Sequence, residues 1–310
     1  MAFKILETSL ENLFANHFAN ILKTFHRVFE CLDSELSKSR ALIIGIAYDN
    51  SQRVCARAIS SSSSRADSGI DAPTGEPTLN VAFVGLGNMG LRMALNLARS
   101  RSGVVDDAAN VALPPLHLMV YDLHQSNITS FFKHAETRED ITSSSSTTLL
   151  SAASDLVSLG ESNPDFVITS LPTCGASELV VGDIVKSLPM KPTHKSKGRG
   201  CTFVDTSTIS PSISKKLHQL VKSMSPHNDY VDAPVSGGVK GASDASLTFM
   251  VGCSSTETFS TIQPLLHRMG KRIIPCGGPG SGSAVKLCNN TALAAQMVST
   301  HDRYLLLLRR

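Results

Sequence analysis

Residues 80–94, NVAFVGLGNMGLRMA, run an apolar strand directly into a helix through three glycines. Five β-prone residues precede the turn Gly85-Leu86-Gly87-Asn88-Met89-Gly90, and Leu91, Ala94, Leu95 and Ala98 follow at helical spacing. Gly85 lets the chain leave the strand, and Gly87 removes a side chain so that backbone N–H groups can approach a phosphate. Gly90 lets the helix lie close on the sheet. The helix N-terminus adds the positive end of a dipole. Spacing and context together predict a site for a dinucleotide pyrophosphate at the first βα junction of an α/β domain.

The rest of the chain narrows the class. Length, 42% hydrophobic residues and a net charge of +3 describe an ordinary globular protein without the basic footprint of a nucleic-acid binder. The one dense basic run, 191–199 (KPTHKSKGR), reads as a solvated loop. Seven scattered cysteines without CxxC pairs argue for a reducing compartment and against zinc or a disulfide framework. The histidines show no ligand spacing, so no metal site is expected. No apolar run approaches the ~20 residues that span a bilayer, and no membrane association is expected. Residues 51–66 carry three arginines, many serines and no acid, a presequence-like composition that points to the mitochondrial matrix. Acidic residues precede them, so two readings stand: a presequence with its start assigned too far upstream, or an N-terminal extension with a serine-rich linker.

From Leu79 onward short apolar runs alternate with amphipathic segments, the pattern of a mostly parallel sheet with helices on both faces. Strands are predicted at 81–84, 116–121, 166–170, 202–204, 230–231, 247–251 and 272–274. Between them lie helical candidates such as 177–187 and 212–224, the latter opened by Ser210-Pro211. Three stretches read as surface loops: 101–115, the serine-rich 141–147 with its sequel to Pro164, and 190–200. The second strand closes on Asp122, placed to accept hydrogen bonds from an adenosine ribose. Its charge would repel a 2′-phosphate, which favours NAD over NADP. Asp122 stands farther from Gly90 than the usual ~20 residues, and the 101–115 loop accounts for the excess.

Three further segments are informative: DTSTISP from Asp205, DAPVSGGVKGA from Asp232, and GSGSAVKLCNN from Gly280 to Asn290. With GLGNMG they resemble, in order and over about residues 79–297, the β-hydroxyacid dehydrogenase family. The similarity is strongest to the branch that oxidises 3-hydroxyisobutyrate to methylmalonate semialdehyde in valine breakdown. It implies a Rossmann domain (79–276) after an N-terminal extension (1–78), then a long helix opening an all-helical second domain (277–310). The cofactor implied is NAD and the substrate a short 3-hydroxy acid. Succinic-semialdehyde/glyoxylate and 2-hydroxy-3-oxopropionate reductases carry the same motifs.

Lys286 has apolar helix neighbours and no acid within a turn, so desolvation should lower its pKa and suit it to proton transfer. By resemblance it is the catalytic acid/base. Asn290, at i+4, shares its face and is placed to bind the substrate hydroxyl or carbonyl. Ser236-Gly237-Gly238 would offer backbone N–H groups to the substrate carboxylate. Resemblance assigns Thr208 to the cofactor, Ser207 to the neighbourhood of the substrate, and Leu171-Pro172 to the face of the cofactor. Ala176 stands where the family often has Asn, so one contact to NAD is expected to be lacking. The chain ends soon after Lys286, and the text after Val298 departs from the family. On that basis most of the helical domain, and with it most of the family's homo-oligomer interface, is expected to be absent. A working dehydrogenase and an NAD-binding module without turnover therefore both stand as expectations.

Overall fold

Six strands take the order that a doubly wound dinucleotide-binding sheet requires. The computed structural model describes residues 78–99, 115–142, 148–189 and 200–308, all within the unit Pro77–Arg310. The expectations for residues 1–77, 101–114, 143–147 and 190–199 lie outside the described residues. The strands are β1 (Leu79–Val84), β2 (Leu116–Tyr121), β3 (Leu149–Ala152), β4 (Phe166–Thr169), β5 (Thr202–Asp205), β6 (Asp229–Asp232), β7 (Val235–Ser236), β8 (Leu247–Gly252) and β9 (Gly270–Gly277). Their order is β3-β2-β1-β4-β5-β6-β8-β7, with β9 pairing β8. β1 to β6 are parallel, β8 is antiparallel to β6 and β7, and β9 is parallel to β8.

The helices are α1 (Gly90–Ala98), α2 (Gln125–Glu136), α3 (Glu139–Thr142), α4 (Leu156–Glu161), α5 (Cys174–Ser187), α6 (Pro211–Met224), α7 (Gly238–Ser243), α8 (Thr256–His267) and α9 (Ser281–Leu308). They cover both faces, which is why the central strands read as nearly continuous apolar runs. Alternate β1 residues feed two cores. Val81 and Phe83 pack with Leu97, Phe131 and Leu265 from α1, α2 and α8, whereas Ala82 and Val84 pack with Val181, Ile184, Leu217 and Val221 from α5 and α6.

One expectation is corrected. The stretch leading to Pro164 is not wholly a loop, because it contains β3 and α4. β3 is a four-residue edge strand with Leu149 exposed, so it lacks the alternation that betrays a half-buried strand. α4 does carry a start signal in Asp155, whose carboxylate accepts from Ser158 N while the Ser158 hydroxyl faces Asp155 N. Being less than two turns long, it shows no apolar periodicity. The two-residue β7 is also not among the expected strands; the other strands fall where the apolar runs place them, and α6 begins at Pro211 with the Ser210 hydroxyl accepting from Ser212 N.

Candidate active site

The parallel register sets Val84 beside Tyr121 and Thr169, Thr169 beside Asp205, and Asp205 beside Asp232. This row is the carboxyl edge of the sheet. Each segment singled out from the sequence leaves from it: Gly85 to Gly90, Asp122, Leu171-Pro172, Ser207-Thr208 and Ser236 to Gly238. Ligands of open α/β sheets bind outside this edge.

At the first junction the glycines are needed for separate reasons. Gly85 has φ +93°, and a Cβ there would overlap the Ser170 carbonyl. A Cβ on Gly90 would overlap the Gly85 carbonyl, so α1 crosses the turn in van der Waals contact. Gly87 is exposed with nothing within 4 Å of a would-be Cβ, leaving its backbone open to a ligand. The Met89 side chain does not cap α1, and the first turn holds no acid. Orphan N–H groups at an uncapped helix start, beside an open glycine, fit a pyrophosphate. Asp122 closes the neighbouring strand: Oδ2 accepts from Leu86 N at 2.6 Å, and Oδ1 from His124 N at 2.8 Å and Asn127 Nδ2 at 3.0 Å.

The next loops are tied to each other. Ser207, 4% exposed, accepts at its hydroxyl from Leu171 N at 2.8 Å, and its own N–H donates to Asp205 Oδ1 at 2.9 Å. Tyr230 donates to Asp205 Oδ2 at 3.0 Å. Burial, and then the Asp205 charge, push the Tyr230 phenol well above its ordinary pKa, so it stays a donor. Ser207 thus has a structural task and retains a proton to donate. Thr208 beside it and Leu171 are half-buried, and Pro172 is exposed. Gly237 and Gly238 have φ of +134° and +62°, a consecutive positive pair at the start of α7. Ser236 is half-buried and both glycines are exposed, so their N–H groups are accessible to an anion.

Asp232 fixes the long helix. Fully buried, its carboxylate accepts from Gly280 N and Ser283 N, both at 2.7 Å, binding the start of α9 to the sheet edge with favourable charge at the helix N-terminus. Burial raises the carboxyl's pKa, while these two N–H groups pull it back. Close contact is needed: a Cβ on Gly282 would overlap the Met250 carbonyl and stand 2.8 Å from Asp232 O. Lys286 follows Ser283 by about one turn. It is half-buried, desolvation lowers its pKa, and no ion pair among the described residues involves it. Asn290, also half-buried, lies on the same helix face. We expect Asp232→Ala to cost about 1–3 kcal/mol by stranding two buried N–H groups. Urea unfolding reads this, and an unchanged midpoint would disprove the clamp.

Sequence reasoning missed the tasks of Asp205, Asp232, Tyr230 and Arg92. Both acids end apolar runs as Asp122 does, which is a usable signal. Tyr230 and Arg92 meet partners 25 and 151 positions away, and no local pattern announces such contacts. Among the described residues no cluster of His, Cys, Asp or Glu could hold a metal ion, and no helix is long and apolar enough to cross a membrane.

Residues 80–278 match the model of the NAD binding domain of 6-phosphogluconate dehydrogenase. With the glycine turn, Asp122 and this match together, the fold and its edge define an NAD-binding Rossmann-type domain. The chain belongs to the β-hydroxyacid dehydrogenase family. It is 34% identical over 231 residues to the mitochondrial 3-hydroxyisobutyrate dehydrogenase of Drosophila melanogaster, covering 74% of this chain and 59% of that one. To the 2-(hydroxymethyl)glutarate dehydrogenase of Eubacterium barkeri it is 32% identical over 234 residues, covering 74% and 64%. Among solved structures, the 3-hydroxyisobutyrate dehydrogenase of Mycobacterium tuberculosis with L-serine superposes with a TM-score of 0.56 at 30% identity, covering 75% and 66%. The chain thus spans less than two thirds of the length of these relatives.

Proposed function

We propose that this chain carries the cofactor site and the acid/base of an NAD-dependent dehydrogenase that oxidises a short 3-hydroxy acid, 3-hydroxyisobutyrate above others, to its semialdehyde. The observation that carries the reading is Lys286: a desolvated amine about one turn beyond the point where α9 is clamped to the sheet edge by Asp232. Lys286 takes the proton of the substrate hydroxyl through Nζ, the carbinol C–H breaks, and the C–O bond becomes a carbonyl. NAD, when bound, accepts the hydride. Asn290 holds the reacting oxygen, and the Ser236-Gly237-Gly238 turn receives the carboxylate, which needs donors and little bulk. Ser207 and Thr208 line the edge between the two, with Leu171-Pro172 against the cofactor.

Asp122 supports NAD over NADP. Three of its roughly four acceptor positions are filled by Leu86, His124 and Asn127, and the remaining one suits a ribose hydroxyl. A 2′-phosphate there would meet like charge, and no arginine stands in 123–127 to offset it. The relative solved with L-serine, itself a short 3-hydroxy acid, supports the substrate class. A mitochondrial location in valine breakdown is supported by the name of the Drosophila relative and by the acid-free, arginine- and serine-rich 51–66 segment.

The test is NADH formation with a panel of short hydroxy acids, alongside calorimetric titration of both cofactors. We expect 3-hydroxyisobutyrate to lead the panel and NAD to bind more tightly than NADP. Tighter NADP binding would overturn the role of Asp122. NAD binding without turnover on any acid would leave a binding module and reject the dehydrogenase reading.

A further inference from the structure

Two polar side chains of α1, Arg92 and Asn96, stand one turn apart on one face and both reach α7. Asn96, 2% exposed, donates through Nδ2 to Ala242 O at 2.5 Å and Ser243 O at 3.4 Å. Its Oδ1 is buried without a hydrogen-bond partner among the described residues, so Asn96 is held there by its contacts to α7. Arg92 bridges the glycine turn and the end of α7. Nη1 donates to the Asn88 carbonyl at 2.6 Å, and Nε donates to the Ser243 hydroxyl at 3.0 Å.

Asn88 belongs to the glycine turn at the uncapped start of α1, whereas Ser243 ends the helix that Gly237 and Gly238 begin. The planar peptide fixes the Met89 N–H opposite the Asn88 carbonyl. By holding that carbonyl, Arg92 sets the direction of an N–H at the phosphate-facing end of the helix. The same guanidinium grips the far end of a helix only six residues long, so a change in the turn reaches Gly237 and Gly238 through few atoms. Guanidinium geometry suits this task, because its donors lie in a rigid fork.

We propose that Arg92 is a positioning residue that couples occupancy of the NAD site to the order of the Ser236-Gly237-Gly238 turn, with Asn96 as the fixed anchor beside it. The substrate half of this link rests on the reading of that turn as the carboxylate cradle. Filling the turn at Gly85 to Gly90 steadies Asn88, Arg92 passes the constraint to Ser243, and α7 presents Gly237 and Gly238 in one arrangement. NAD would then tighten the hydroxy acid, and the acid would tighten NAD by the same factor.

Backbone hydrogen exchange of α7 with and without saturating NAD tests the link apart from turnover. In the unmodified chain NAD is expected to slow exchange at Gly238 to Ser243 by about fivefold or more. Arg92→Ala and Ser243→Ala should each lose most of that NAD-dependent slowing. Ser243→Ala leaves the glycine turn untouched, so its NAD affinity should fall by no more than the coupling factor itself. A purely structural role would shift exchange equally with and without NAD. No effect of NAD on α7 in the parent, or undiminished slowing in both variants, overturns the proposal. If 3-hydroxyisobutyrate adds no slowing in the parent with NAD bound, the cradle reading falls while the link from NAD to α7 stands.

Discussion

Lys286→Ala is expected to lower turnover by ~10²–10⁴-fold, the usual cost of a lost general acid/base, while the dissociation constant for NAD stays close to the parent's. On the proposed reading the two effects separate, because the amine of α9 would act on the substrate proton, whereas the dinucleotide would be gripped at the glycine turn after β1. The pH profile sharpens the test. A base must be neutral to accept a proton, so kcat/KM should rise with pH through the pKa of Lys286, which desolvation holds below the ordinary lysine value. Lys286→Arg keeps a cation that does not titrate in this range and should erase the rise. Steady-state NADH production across pH, with calorimetry for NAD, reads both quantities. Turnover that survives in Lys286→Ala with its pH profile intact would remove Lys286 from the chemistry.

Gly90→Ala should abolish measurable NAD binding and cost stability, by about 1–3 kcal/mol if the surroundings give as overpacked cores usually do. The added Cβ would overlap the backbone carbonyl of Gly85, and Phe83 Cε1 would stand 3.3 Å away on another side. A carbonyl cannot swing aside as a flexible side chain can, so α1 must lift from the turn and carry its N–H groups out of register. Gly87→Ala is the control. Its Cβ meets nothing within 4 Å, so folding should be unaffected and only the approach of the phosphates impaired. Thermal melts and NAD titration of both variants decide the matter. Equal melting temperatures for the two would show that the close approach at Gly90 is not needed.

Most of the carboxyl edge was legible because its residues announce themselves locally. Gly85 to Gly90 sit between two clear periodicities, Asp122 closes an unbroken apolar run, and Lys286 is an isolated charge on an apolar stretch. The strands that escaped reading are small or marginal. β3 offers one exposed leucine in four residues, and β7 is two residues long. What holds the edge rigid was hidden for another reason. Asp205 with Tyr230, Asp232 with Gly280 and Ser283, and Arg92 with Ser243 are pairings across 25 to 151 positions. Their partners are chosen by the parallel register and by helix placement, and these exist only once the sheet has formed. Resemblance carried the roles of Thr208, Ser207 and the Leu171-Pro172 pair, for which residue chemistry alone offers little.

Because β1, β2, β4, β5 and β6 all end on one row, the domain has one edge where length is tightly constrained and one where it is not. The chain leaves α1 at Ala98 and re-enters the sheet at Leu116, leaves α3 at Thr142 and returns at Leu149, and leaves α5 at Ser187 and returns at Thr202. Every one of these re-entries is at the opposite edge from Gly85, Asp122 and Ser207. Sequence can therefore be added or lost between helix and following strand without shifting a ligand-facing atom. A single residue inserted between Val84 and Gly90, by contrast, would turn the start of α1 by about 100° and aim its N–H groups away from whatever they were built to hold.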